Sequence, residues 1–152
     1  SIPAWARNPF GFMLFSMTYS QGLTDGVVSA ADNSLIQLYR VVGPEEAASI
    51  FSTVPPQFTV LASGFGQKQF WLSNSDAVWF AEAEALIDPV RAGQIRSIVS
   101  TLVTPKTYSM GYQFTDAGHQ AVSFDAAGLS AVNRDASEYG VYLLNEIPPS
   151  GN

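Results

Sequence analysis

The amino-acid sequence predicts a mainly β protein in which three antiparallel meanders pack as a propeller-like arrangement of three blades, with two short helices. Apolar, β-prone runs alternate with short turn sequences along most of the chain. Third strands begin near positions 35, 77 and 129, so successive starts are 42 and 52 residues apart. Propeller blades recur at roughly 40 to 50 residues. The unequal spacing leaves open the alternative, a β-sandwich or barrel interrupted by two helices.

The first meander and its helix are predicted from turn and cap signals. Residues 10–20, FGFMLFSMTYS, are rich in aromatic and apolar side chains and predict a strand. Residues 25–41 predict two more strands around the turn sequence ADNS. Pro44 suits a first helical position, and the two glutamates after it suit the positive end of a helix. A short helix is therefore expected over 44–54, ending before the next pair of prolines.

The same order of elements is predicted twice more along the chain. The second pass comprises strands at 57–66, 67–73 and 76–86, followed by an amphipathic helix at 88–102 with Asp88 as its N-cap and Pro89 next. The third pass comprises strands at 106–114, 119–125, 128–134 and 138–147 and has no helix. A chain of 152 residues is long enough to bury a core without metal or disulfide. One β-rich domain over 1–152 is therefore expected.

Composition excludes several classes of function. The chain has 7 basic and 13 acidic residues and a net charge of −6, which argues against a nucleic-acid partner because such binding needs clustered Lys and Arg. It has no cysteine, so disulfides, thiolate metal sites and cysteine nucleophiles are excluded. No run of eighteen apolar residues is present, and no membrane insertion is expected. The start at Ser1-Ile2-Pro3 without Met is expected of a mature exported protein after signal-peptide removal, and a trimmed chain would begin in the same way.

Few residues suggest catalysis or metal binding. His119 is the only histidine, so a Ser-His-Asp site would have to use it, with Asp116 three residues away. We interpret it as an exposed polar residue that starts a strand. Glu82 and Glu84, two apart on a predicted strand, would share one face and suit a glycosidase-type pair, although a solvated strand face is the favoured interpretation. Residues 32–34 have turn chemistry rather than a calcium-loop pattern. No catalytic residue, metal or cofactor is predicted.

Aromatic residues give the strongest functional signal. The stretch TPKTYSMGYQFTD (104–116) predicts a hairpin whose turn places tyrosine and methionine beside small residues. A solvated turn rarely needs such side chains, so this turn is predicted to be the partner-binding site, comprising Tyr108, Ser109, Met110, Gly111 and Tyr112. Trp71 and Trp79 support an alternative, a carbohydrate-binding or cell-surface module that stacks exposed indoles on sugar rings.

The whole pattern resembles a known family. An acidic chain of this length without cysteine, with three successive predicted β-meanders and the ending EYGVYLLNEIPP, is similar to the immunity proteins that neutralise type VI secretion amidase effectors. The resemblance implies a periplasmic protein that is not an enzyme. It also implies a protein partner, a secreted cysteine-histidine peptidoglycan amidase whose active site the chain occludes. Under this reading Ser109 would enter the cleft and hydrogen-bond the catalytic histidine of the amidase.

Overall fold

A computed structural model describes residues 27–30, 33–59 and 66–150. Its strands are β1 Val27–Ala30, β2 Asn33–Val42, β3 Lys68–Trp71, β4 Arg96–Val103, β5 Tyr112–Asp116, β6 His119–Phe124 and β7 Val141–Ile147. Its helices are α1 Pro44–Phe51, α2 Asn74–Ile87, α3 Pro89–Ala92, α4 Pro105–Tyr108 and α5 Ala126–Tyr139. The strand predicted at 10–20 and most of the one predicted at 57–66 lie outside the described residues.

The described strands form one antiparallel sheet in the order β5-β6-β3-β2-β4-β7, with β1 paired to β2. Strand β2 pairs with β4 from Ile36 opposite Val103 to Val42 opposite Ser97. Its other edge is shared between β1, near its start, and β3, which meets it where Tyr39 lies opposite Trp71. The prediction of a mainly antiparallel β protein is confirmed. The sheet is open, and three separate blades are not seen in the part of the chain that the structure describes.

Helices cover both faces of this sheet. Alternate residues of β2 point to opposite faces, so Leu38 and Val42 enter one core while Tyr39 and Val41 enter the other. The first core is closed by α5 and α1, through residues that include Ile50, Leu129, Val132 and Ala136. The second is closed by α2, through Ala77 and Ala81. Because β4 lies between two helical layers, its residues are buried almost without interruption, as in sheets covered on both sides.

Two predicted strands are helices. Residues 76–86 lie in α2, whose start is capped by the Ser73 hydroxyl, which accepts a hydrogen bond from the Asp76 N–H at 3.0 Å. The AEAEA sequence looks alternating, yet Ala77 and Ala81 are four residues apart and share the helix face that packs on the sheet. Residues 128–134 lie in α5, where the Asp125 carboxylate caps Gly128 N–H. The prediction of only two short helices is therefore also wrong, since α2 and α5 have 14 residues each.

One of the two predicted helices is confirmed, and the other is wrong over most of its length. The helix predicted at 44–54 is confirmed as α1, although it ends at Phe51. The helix predicted at 88–102 is wrong over most of its length, because only Pro89–Ala92 is helical and Arg96–Val103 forms β4. The apolar residues of that stretch fit a helical period, but Val90 and Ile95 are exposed, whereas Ile98 and Val99 are buried in a central strand. The strand predicted at 138–147 is confirmed as β7, which begins at Val141 after the last turn of α5.

One ion-pair network joins α1 to the sheet. Arg40 of β2 donates hydrogen bonds from two nitrogens to the Glu46 carboxylate, at 2.7 and 3.1 Å. The buried Lys68 ammonium of β3 lies 2.9 Å from the same carboxylate. Burial raises the pKa of Glu46, but attraction to Arg40 and Lys68 together outweighs it and holds that pKa below 4.5. Burial, and then repulsion by Arg40, lowers the pKa of Lys68. One glutamate therefore pairs with cations from two neighbouring strands.

Glu46→Gln should lower the free energy of unfolding at pH 7 by about 3 kcal/mol, because it leaves two cations without a carboxylate. Since the folded-state pKa of Glu46 is lowered, its contribution is present above pH 4.5 and is lost as the pH falls through the lowered value. Urea titrations at successive pH values should therefore show that the free energy of unfolding falls more steeply toward acidic pH in the parent than in the variant. Glu45→Gln, at the exposed neighbouring position, is the control. Equal stability of parent and Glu46→Gln would exclude this role.

Candidate functional site

The predicted partner-binding residues lie between a helix and a strand, and not at a hairpin turn. Pro105 starts the short helix α4, and the Thr104 hydroxyl caps it by accepting a hydrogen bond from Thr107 N–H at 3.2 Å. Ser109, Met110 and Gly111 then connect α4 to Tyr112, the first residue of β5. The hairpin prediction for 104–116 is therefore wrong. We call Ser109–Tyr112 the α4–β5 tip.

Backbone hydrogen bonds hold the tip in one conformation. Ser109 N–H donates to Pro105 O at 2.9 Å, Met110 N–H to Thr107 O at 3.0 Å, and Gly111 N–H to Tyr108 O at 3.0 Å. The Ser109 hydroxyl also donates to Lys106 O at 2.6 Å. These bonds satisfy the carbonyl groups at the end of α4. The tip is thus ordered by its own backbone, independently of its large side chains.

Two contacts fix the tip on the rest of the protein. Gly111 presses against β6, since a Cβ there would lie 2.3 Å from Val122 Cγ2 and 2.8 Å from Phe124 Cε1, and only glycine permits this approach. The buried Asp135 carboxylate of α5 accepts a hydrogen bond from Thr104 N–H at 3.0 Å, at the start of α4. The tip is therefore anchored both to the sheet and to the long helix that covers it.

The three large side chains of this region do not share one surface. Met110 is 47% exposed and Tyr112 is 55% exposed. Tyr108 is partly buried and packs against the core beneath α5, because it belongs to the last turn of α4. The Tyr112 ring stacks beside Phe114, with centroids 6.0 Å apart. Of the predicted contact residues, Ser109, Met110 and Tyr112 are thus accessible. Tyr108 and Gly111 instead make packing contacts within the protein.

The two glutamates considered for a glycosidase-type pair do not face each other. Both lie on α2, where residues two apart point in nearly opposite directions. Glu82 is exposed, while Glu84 is buried and lies 2.8 Å from Arg91 and 3.8 Å from Arg96. Burial raises the pKa of Glu84 above 4.5 in spite of these two arginines. The structure assigns Glu84 to an ion-pair cluster that ties α2 to α3 and β4.

His119 has a carboxylate partner that the sequence did not indicate. Its Nδ1 lies 2.6 Å from Asp76 Oδ1, in the first turn of α2, whereas Asp116 is its cross-strand neighbour in the β5–β6 hairpin. The imidazole stacks on Trp79 with ring centroids 3.9 Å apart and planes inclined by 12°. These contacts join α2 to the beginning of β6. The expectation that His119 is simply an exposed polar residue is wrong, since it is half-buried in this contact.

The tryptophans do not form a sugar-stacking pair. Trp71 is only 2% exposed and lies in the core under α2. Trp79 meets it edge to face, with centroids 5.8 Å apart, and its own face is occupied by His119. Stacking on a sugar ring needs an accessible aromatic face. The carbohydrate-binding alternative depended on exposed indole rings at Trp71 and Trp79, and this geometry does not provide them.

A cleft of about 320 Å³ lies between the start of α1 and the segment around α3. Its walls carry Gly43, Pro44, Glu45, Glu46, Val90, Arg91 and Gln94. Among the described residues, no group of three or more His, Asp or Glu side chains could hold a metal ion. In the same part of the chain, no helix has the length and apolar character needed to cross a membrane.

No protein-family model, curated protein or solved structure matches this chain. Functional inference therefore depends on the sequence and on the geometry described above.

Gly111→Ala should destabilise the protein by about 2 kcal/mol, because the added methyl group overpacks the contact with Val122 and Phe124. Urea unfolding measures the effect. Gly93→Ala is the matched control, since the nearest atom to its new Cβ would lie 3.5 Å away and its φ is −84°. Equal stability of the two variants would show that the tip is free to move off β6.

Proposed function

We propose that this chain is an immunity-type inhibitor that binds a secreted cysteine-histidine peptidoglycan amidase and occludes its active site. The observation that carries the proposal is the α4–β5 tip, which presents Met110 and Tyr112, 47% and 55% exposed, on an ordered and anchored backbone. The resemblance described for the sequence supplies the class of partner. With it comes the proposed location, the periplasm.

The tip has the properties of an interface hot spot. Large side chains that are accessible in the free protein and become desolvated in a complex carry most of the binding energy. Methionine adapts to an irregular pocket, and tyrosine adds a rigid ring with a hydroxyl group for hydrogen bonding. Because the tip is already ordered, binding loses little conformational entropy there. A standard interface of about 1,600 Å² in total would be sufficient around it.

Ser109 suits the role of a small group that enters a catalytic cleft. Its hydroxyl donates to Lys106 O, so its oxygen lone pairs are available to accept a hydrogen bond. In a cysteine-histidine active site, the protonated catalytic histidine is a suitable donor. The flanking Met110 and Tyr112 would then exclude water from that hydrogen bond and strengthen it.

The net charge of −6 favours a basic partner. Opposite net charges raise the association rate at low ionic strength more than they raise affinity. Binding to the amidase should therefore slow as salt is added.

Hydrolysis of purified peptidoglycan by the amidase, measured with and without this chain, tests the proposal directly. Unchanged hydrolysis at a saturating concentration of the chain would reject it.

Met110→Ala and Tyr112→Ala should each weaken amidase binding by about 2 kcal/mol, roughly thirtyfold in affinity, without lowering the melting temperature comparably. Titration calorimetry and thermal melts of the free variants measure the two quantities. Leu86→Ala is the control, because Leu86 is 77% exposed on α2, outside the tip. Parent-like affinity in both tip variants would mean that another surface makes the contact.

Tyr108→Ala should affect the stability of the protein, and Ser109→Trp should affect its inhibition of the amidase. Tyr108→Ala removes a ring packed on the core, so it should lower the free energy of unfolding by about 2 to 3 kcal/mol. Ser109→Trp places a bulky group at an exposed position, so it should preserve stability and abolish inhibition by a clash with the cleft. Full inhibition by Ser109→Trp would show that this residue does not enter the active site.

A further inference from the structure

Met110 combines exposure with chemical reactivity. Its side chain is 47% exposed at the α4–β5 tip. A thioether is soft and polarizable, and accessible methionines are oxidised to methionine sulfoxide. The oxidants that perform this reaction are two-electron oxygen donors such as hydrogen peroxide.

We infer that Met110 is a reversible oxidation site whose sulfoxide weakens partner binding at the tip. The effect on binding rests on the proposed function, whereas the modification itself does not. In the reaction with hydrogen peroxide, a sulfur lone pair attacks one peroxide oxygen, an S–O bond forms and the O–O bond breaks. The second oxygen leaves as hydroxide and takes the proton of the sulfur-bound hydroxyl group to form water, so the sulfur is oxidised by two electrons and the peroxide is reduced.

The fold can accommodate the modified side chain. Backbone hydrogen bonds and the contact of Gly111 with β6 order the tip, so its conformation does not depend on the thioether. A sulfoxide adds a polar oxygen to a side chain already half in water, where it can be hydrated. In a complex the same oxygen would be taken out of water without an assured donor, and that costs affinity. Oxidation should therefore act on binding rather than on folding.

The sequence makes this site separable from the other methionines. Cleavage by trypsin after Lys106 and Arg134 gives the fragment 107–134, in which Met110 is the only methionine. Met13 and Met17 fall on another fragment, 8–40. Mass spectrometry of the digest therefore reports the oxidation of Met110 by itself.

The first arm of the test treats the folded chain and the urea-unfolded chain with dilute hydrogen peroxide and follows fragment 107–134 over time. We expect Met110 to be oxidised in the folded chain within about threefold of its rate in the unfolded chain, because it is accessible. In a Met13→Leu, Met17→Leu chain, the urea midpoint after oxidation should equal that before oxidation. Protection of Met110 by tenfold or more, or a lowered midpoint, would overturn the inference.

The second arm uses a Met13→Leu, Met17→Leu chain, in which Met110 is the only remaining methionine. Oxidation of this chain should weaken amidase binding about tenfold. Treatment with methionine sulfoxide reductases A and B should restore it. Unchanged binding after complete oxidation would overturn the regulatory effect. Failure of the untreated chain to bind would instead reject the proposed function. The oxidation rates of the first arm would then still test whether Met110 is an oxidation site.

Discussion

Strand β2 is the constraint on which the described structure depends. It pairs with β4 over most of its length on one edge and with β1 and β3 on the other. Its alternate side chains enter both cores, so the layers above and below the sheet meet through one strand. Arg40, also on β2, reaches the glutamate that orients α1 and the carbonyl of Gln69 on β3. A change in the register of β2 would exchange both cores at once and break this ion pair.

The mainly β character could be predicted because turn residues and β-prone runs mark several strands correctly. Two of the errors have identifiable physical origins. In a sheet covered on both faces, a central strand such as Arg96–Val103 is buried without alternation, so its apolar residues can also fit a helical period. The converse error concerns α2, where small alanines pack against the sheet and leave a weak pattern. The sequence Ser73-Asn74-Ser75-Asp76 fits a helix-capping pattern and would have identified this helix.

The sequence indicated that part of 108–112 is accessible, but it did not indicate the shape of the segment. The unusual composition of 108–112 indicated a surface element, and Met110 and Tyr112 are indeed accessible. Period-two reasoning also placed Tyr108 with them, whereas one turn of α4 directs that ring into the core. The Asp76–His119 pair could not be predicted, because its members are 43 positions apart and meet only when α2 packs on the sheet beside β6. Long-range contacts of this kind leave no periodic trace in a sequence.

The anchoring of the tip by Asp135 has a thermodynamic consequence for any complex formed there. The carboxylate belongs to α5, so the start of α4 is ordered together with a core helix. When a segment folds as it binds, the heat-capacity change contains the burial of that segment as well as of the interface. Here the segment is ordered beforehand, and the heat-capacity change of association would report the surface buried in the contact. Calorimetry at several temperatures would therefore measure the size of the interface without a contribution from folding.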